Sequence, residues 1–155
     1  MANYSKDMAR IKVSNLWWTA PAESENGSTI IVTGRKDLEA VYQSGKFVYR
    51  VEITWKYHPD NMGMPDFATS SLMEKVTDAL NDSFNADPVA ILTGIYTGDG
   101  ERNLVFYCRS LNIFQRKFNE ILSPFPTLPL SFQAFNDPHW EEYHEMRETE
   151  IPDDE

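Results

Sequence analysis

A single cysteine, Cys108, in a chain of 155 residues excludes an internal disulfide, so nothing here depends on an oxidising compartment. Long apolar runs are missing too, and no stretch approaches the roughly 18 apolar residues of a membrane-spanning helix. Residues 1–10 are polar and mixed in charge, without the apolar centre of a signal peptide. The expectation is a cytoplasmic chain with no membrane partner. Basic residues are scarce, 14 Lys and Arg against 24 Asp and Glu, and they form no cluster of the kind that phosphate recognition needs. Direct nucleic-acid binding is therefore disfavoured. The acidic excess is local. Residues 137–155 hold nine acids and one arginine, a net −8, which leaves fifteen acids against thirteen bases, a net −2, in the rest. That end suits a basic protein partner, although a solvated helix face and a frayed tail would look the same.

What is present suits a packed fold. With 41% hydrophobic residues the composition is that of an ordinary globular chain, and 155 residues fit one domain able to bury roughly 70% of its unfolded surface. The clearest element spans residues 47–57. Phe47, Tyr49, Val51, Ile53, Trp55 and Tyr57 alternate there with Val48, Arg50, Glu52, Thr54 and Lys56, the period of a half-buried strand. After a loop at Gly63-Met64-Pro65, Leu72, Met73, Val76, Leu80 and Phe84 fall on one stripe of a helix over 67–84, with Ser71 and Glu74 at capping-box spacing. The apolar runs 89–96 and 104–108 flank Thr97-Gly98-Asp99-Gly100-Glu101 and read as a hairpin. Ser110 can cap a helix that carries Leu111, Phe114, Phe118 and Leu122 on one face, and residues 130–135 alternate again.

From Phe47 onward the order is thus β-α-β-β-α-β, which predicts an α+β fold of the ferredoxin-like split type over 47–136. Residues 1–46 add an N-terminal β extension, with strands at 11–18 and 28–33 and a short helix near 36–43. Residues 137–155 add a C-terminal helix, capped by Asp137 with Pro138 in its first turn, and an acidic tail. Trp140 and Tyr143 are expected to dock on the body, and the segment after Tyr143 to be dispensable for folding.

No candidate active site outweighs its plainer reading. His139 and His144 are five apart, where two ligands on one helical face need three or four, and His58 is remote, so neither a metal nor a cofactor is implied. Cys108 as a nucleophile would need a nearby base and a lowered thiol pKa, whereas its neighbours 104–107 are those of a buried strand. Gly94, Gly98 and Gly100 lead into a strand and so suit a hairpin better than a phosphate loop. Trp17 and Trp18, neighbours on a strand, must face opposite sides; Trp17, Trp55 and Trp140 could line an aromatic pocket.

Trp17, Glu25-Asn26-Gly27, Gly63-Met64-Pro65, Thr97-Gly98-Asp99-Gly100, Phe106-Tyr107, Phe118-Asn119 and Asp137-Pro138-His139-Trp140-Glu141-Glu142-Tyr143 together resemble an uncharacterised bacterial family, domain-of-unknown-function family 695. The likeness covers Leu16 to Tyr143. It implies a fold rather than a reaction, and a more distant likeness to the regulator-of-ribonuclease-E inhibitor family implies a regulatory module. The leading expectation is a non-catalytic module that binds another protein. Its candidate interaction surface comprises Trp140, Tyr143, Glu141, Glu142 and Glu145 at the acidic end and Asp99 at the hairpin. Two alternatives stand beside it, a small hydrolase or transferase that uses Cys108 with a histidine, and a small-ligand sensor built on the aromatic pocket.

Overall fold

The computed structural model describes residues 13–150. Six strands form one antiparallel sheet: β1 (Trp17–Glu23), β2 (Thr29–Arg35), β3 (Tyr49–Lys56), β4 (Ala90–Gly98), β5 (Glu101–Cys108) and β6 (Leu130–Asn136), in the spatial order β1-β2-β4-β5-β3-β6. Four helices accompany them among the described residues: α1 (Glu39–Gln43), α2 (Phe67–Ala86), α3 (Leu111–Leu122) and α4 (Glu141–Arg147).

Strand alternation divides the core in two. Val51, Ile53 and Trp55 of β3 and Leu104, Phe106 and Cys108 of β5 point to one face, where α2 covers them with Met73, Val76, Leu80 and Phe84 and α3 with Phe114 and Phe118. The intervening positions point the other way. Val105 and Tyr107 join Trp18, Val32 and Ile91 from the other strands, and this second face is closed by Leu38 and Val41 near the chain start and by Trp140, Tyr143 and Met146 near its end. The N-terminal strands therefore extend the sheet, while α1 and α4 cover the face that the two long helices leave open. Trp17 packs on the first face and Trp18 on the second, as strand geometry requires.

Several boundaries differ from the sequence reading. The first strand starts later than expected, and its part over residues 11–12 lies outside the described residues. Pro21, read as loop, sits inside β1, which an edge strand tolerates because one side of its backbone needs no ladder partner. The cap of α2 is Asp66, whose carboxylate accepts from Thr69 N at 2.8 Å, rather than Ser71. Ser110 does cap α3, accepting from Ile113 N at 3.3 Å. The hairpin turn is the pair Asp99-Gly100, with φ of 54° and 81°, the left-handed geometry a two-residue connection demands. α4 begins at Glu141, three residues later than an Asp137 N-cap would place it.

Candidate interaction surface

The expected interaction residues belong mostly to the second core. Trp140 is 1% exposed; its indole Nε1 donates to the Phe47 carbonyl at 2.8 Å, and its ring stacks on Tyr107 at 4.3 Å between centroids. The Tyr143 hydroxyl donates to the Arg35 carbonyl at 2.5 Å. Neither side chain offers surface to a partner. Their removal from the expected surface is a correction, and its cause is that α4 is too short to be stable unless both aromatics anchor it.

Asp137 organises the entry to α4. Its carboxylate accepts from Arg50 Nη1 at 2.6 Å, Tyr107 Oη at 2.7 Å, and the amides of Glu141 and Glu142 at 3.0 and 3.4 Å. Burial alone would raise this carboxyl, but the hydrogen bonds from Tyr107, Glu141, Arg50 and Glu142 outweigh burial and hold it below the usual carboxylate range. Glu142 shows the opposite balance. Its Oε2 accepts from the Tyr96 hydroxyl, while Oε1 is buried with no partner among the described residues. Burial, reinforced by the Glu52 charge, pushes Glu142 up to about 7 against the favourable bond from Tyr96. Burial likewise keeps Tyr96 protonated, so Tyr96 donates and Glu142 accepts. Of the expected acidic surface, Glu141, Glu145 and Asp99 are exposed. Asp99 finds its partners in the β1–β2 turn, chiefly Ser24, with Ser28 and Asn26.

Residues beyond Tyr143 also support the fold, contrary to the sequence reading. Met146 is 3% exposed and lies so close to β4 that a Cβ on Gly94 would stand 2.6 Å from its sulfur. A side chain there would have to displace the methionine. Arg147 donates to the Tyr143 hydroxyl at 3.3 Å and pairs with Glu150 at 2.8 Å. Burying a methionine is worth about 2 kcal/mol, so a chain ended at His144 should lose about that much stability, with a melting temperature lower by roughly 4–8 °C. A melt within a degree of the full chain would mean that Met146 does not anchor α4. Residues 151–155 of the acidic tail lie outside the described residues.

The Cys108 alternative lacks its geometry. The thiol is 0% exposed in the first core, and burial pushes it up to about 12, the reverse of what a nucleophile requires. His144 stands on the opposite face of the sheet against Tyr42 and Tyr143, while His58 and His139 are exposed. The aromatic pocket fails for the same reason, because Trp17 and Trp55 face the first core and Trp140 the second.

A different surface stands out at the sheet margin. β6 pairs only with β3, so its outer side is an open edge among the described residues. The opposite edge, β1, is blunted by Pro21 and Glu23, but the β6 segment Leu-Ser-Phe-Gln-Ala-Phe-Asn has neither proline nor charge. Phe132 is 50% exposed on one face of β6, edge-on to Phe118, and Phe135 is 37% exposed on the other, beneath the Arg50 guanidinium at 4.3 Å. Beside the edge runs a groove of about 330 Å³ between α3 and β6, walled by Leu111, Phe114, Phe132 and Ala134, with Gln115, Asn119 and Gln133 as its polar members. The sequence reading recognised β6 as a strand without noticing that seven uncharged residues between Pro129 and Asp137 signal an unprotected edge.

The model of a family described as a family of unknown function, DUF695, matches residues 17–146. The chain belongs to that family. The DUF695 match runs from the first residue of β1 to Met146, the last buried anchor of α4, so the family unit contains both cores. No curated protein and no solved structure shows a significant match. Among the described residues no helix is long and apolar enough to cross a membrane.

Proposed function

We propose that this chain is a non-catalytic, cytoplasmic protein-binding module that takes a basic, extended segment of another protein onto the outer edge of β6. The open, uncharged edge with a phenylalanine exposed on each face is the observation that carries the reading. An extended segment would complete the free backbone groups of β6, and the α3 groove would receive its alternate apolar side chains. Charge favours a basic segment, since the −8 of residues 137–155 starts immediately after β6, and Glu141 and Glu145 on α4 and Glu148 just past its end lie exposed. We read the body as the ferredoxin-like split type, a regulatory architecture in this proposal; the spatial order β4-β5-β3-β6 supports it, because the first and last strands of that unit are neighbours.

Panning a displayed library of random decapeptides against the protein tests this. Enriched peptides should alternate apolar and polar residues, carry Lys or Arg, and slow amide exchange in Leu130–Asn136. Gln133→Lys, at an exposed edge position, should weaken them about tenfold with an unchanged melting temperature, and their association should slow as salt rises. Peptides that bind this variant equally well, or that protect another element, would overturn the reading.

A further inference from the structure

The first face holds a polar cavity that the proposed docking role does not use. It lies between α2 and the strands β1, β2, β4 and β5, has a volume of about 190 Å³, and is walled by Trp17, Thr33, Thr77, Asn81 and Arg102, with Glu74 and Asp78 from α2. That is room for about six waters at ~30 Å³ each, or for a solute of similar heavy-atom count.

Charges of both signs line it. Arg102 stands on β5 opposite Thr97 and Trp55, and donates Nε to Thr97 Oγ1 at 3.0 Å and Nη1 to Thr77 Oγ1 at 3.3 Å. Both acceptors are neutral, and its Nη2 group bonds to no described residue. Behind the cavity lies Arg35, 0% exposed, which donates to the carbonyls of Ser14 and Leu92 and to the side-chain oxygens of Asn81 and Asn85. These acceptors too are neutral, and the Trp17 ring that lines the cavity covers this guanidinium at 5.0 Å. Neither arginine has a carboxylate within ion-pair distance among the described residues. Burial accordingly lowers both, Arg35 to about 10, with Glu74 only partly offsetting it at Arg102. A buried cation without a counter-ion is costly, so this wall favours an anionic group. α2 supplies the negative charge: Glu74 and Asp78 are exposed one helical turn apart on the cavity side, flanking the Thr77 hydroxyl that Arg102 meets.

We infer that this cavity binds a small free α-amino acid, its carboxylate on Arg102 and its ammonium group toward Glu74 and Asp78. A plain anion would meet the two α2 carboxylates, and a plain amine would meet the Arg102 guanidinium. A zwitterion satisfies both signs of charge, and Thr33, Thr77 and Asn81 add neutral hydrogen-bonding groups to the wall. The inference is independent of the β6 edge.

Calorimetric titration of the full chain with the common small L-amino acids, acetate and methylamine tests it, with the tryptophan fluorescence, to which Trp17 contributes, as a second readout. At least one amino acid should bind saturably and shift the fluorescence, about tenfold more tightly than acetate or methylamine. Glu74→Gln with Asp78→Asn, both exposed and so without cost to the fold, should weaken the amino acid about tenfold while leaving acetate no weaker. Arg102→Gln, checked for an unchanged melt, should abolish both. Failure of every amino acid to bind saturably, acetate binding as tightly as the amino acid, or indifference to the α2 pair would each overturn the assignment.

Discussion

Trp140→Ala should destabilise the protein by about 4 kcal/mol, the scale of a fully buried aromatic truncated in place, and lower its melting temperature by on the order of 10 °C. The indole is a wall of the second core and touches three elements at once: it stacks on Tyr107 of β5, meets Tyr143 edge-on at 5.4 Å within α4, and lies against Tyr42 of α1 at 5.7 Å. Its N–H satisfies the Phe47 carbonyl, which the truncation would leave unpaired in the interior. The seven residues of α4 are too few to hold a helix unaided, so the loss should also appear as faster amide exchange throughout α4. Trp140→Phe should recover part of the packing without the hydrogen bond and fall between the two. Urea unfolding of the three chains checks this, and a loss below about 1 kcal/mol for Trp140→Ala would contradict its placement in the core.

The second large effect is a dependence on pH. Glu142 binds its proton more tightly in the folded chain than its ordinary value of 4.5 allows, because burial and the Glu52 charge outweigh the Tyr96 hydroxyl and the Arg50 charge. A group raised in this way stabilises the fold fully below its ordinary value and ceases to do so as pH rises through about 7. The difference corresponds to about 2–3 kcal/mol lost between pH 5 and pH 8. Asp137 acts in the other direction: its carboxyl is lowered, so its contribution is present above the ordinary value of 3.8 and is lost as pH falls through the folded value. Stability should therefore peak in mildly acidic solution. Glu142→Gln keeps an acceptor for Tyr96 and removes the titration, and it should flatten the decline above pH 5 while leaving the acid limb intact. An equally steep decline in the variant would assign the titration to another group.

Most of the sheet was legible because periodicity reports which face a residue occupies. Tyr49, Val51, Ile53, Trp55 and Tyr57 fall on the first face as their alternation predicts, and α2 and α3 carried their buried residues at helical spacing; Phe47, expected on that same face, precedes β3 and lies instead in the second core. The β1 boundary was misread because Pro21 signals a loop unless the strand is known to be an edge, and edges are a property of the assembled sheet. The polar network was illegible for a related reason. Arg50, Tyr96, Tyr107, Asp137 and Glu142 come from β3, β4, β5, the loop after β6 and α4, and alternation marks a residue as facing away from the first core without saying whom it meets. Arg35 was passed over because an arginine at a strand end is ordinarily solvated, and only the folded chain brings Asn81 and Asn85 of α2 to it. Met146 looked like part of a solvated tail until Gly94, a residue without a side chain, made room for it.

The second core joins segments that the ribosome makes far apart in time. Trp18, Leu38 and Val41 wait for Trp140, Tyr143 and Met146, and Lys36 meets Glu150 at 3.9 Å. While the chain is still being extended, the first face can assemble once α3 has emerged, but the second has no lid. Closure of this face therefore waits for α4, and until α4 emerges a nascent chain presents Trp18, Val32, Ile91 and Tyr107 to whatever chaperone waits at the exit.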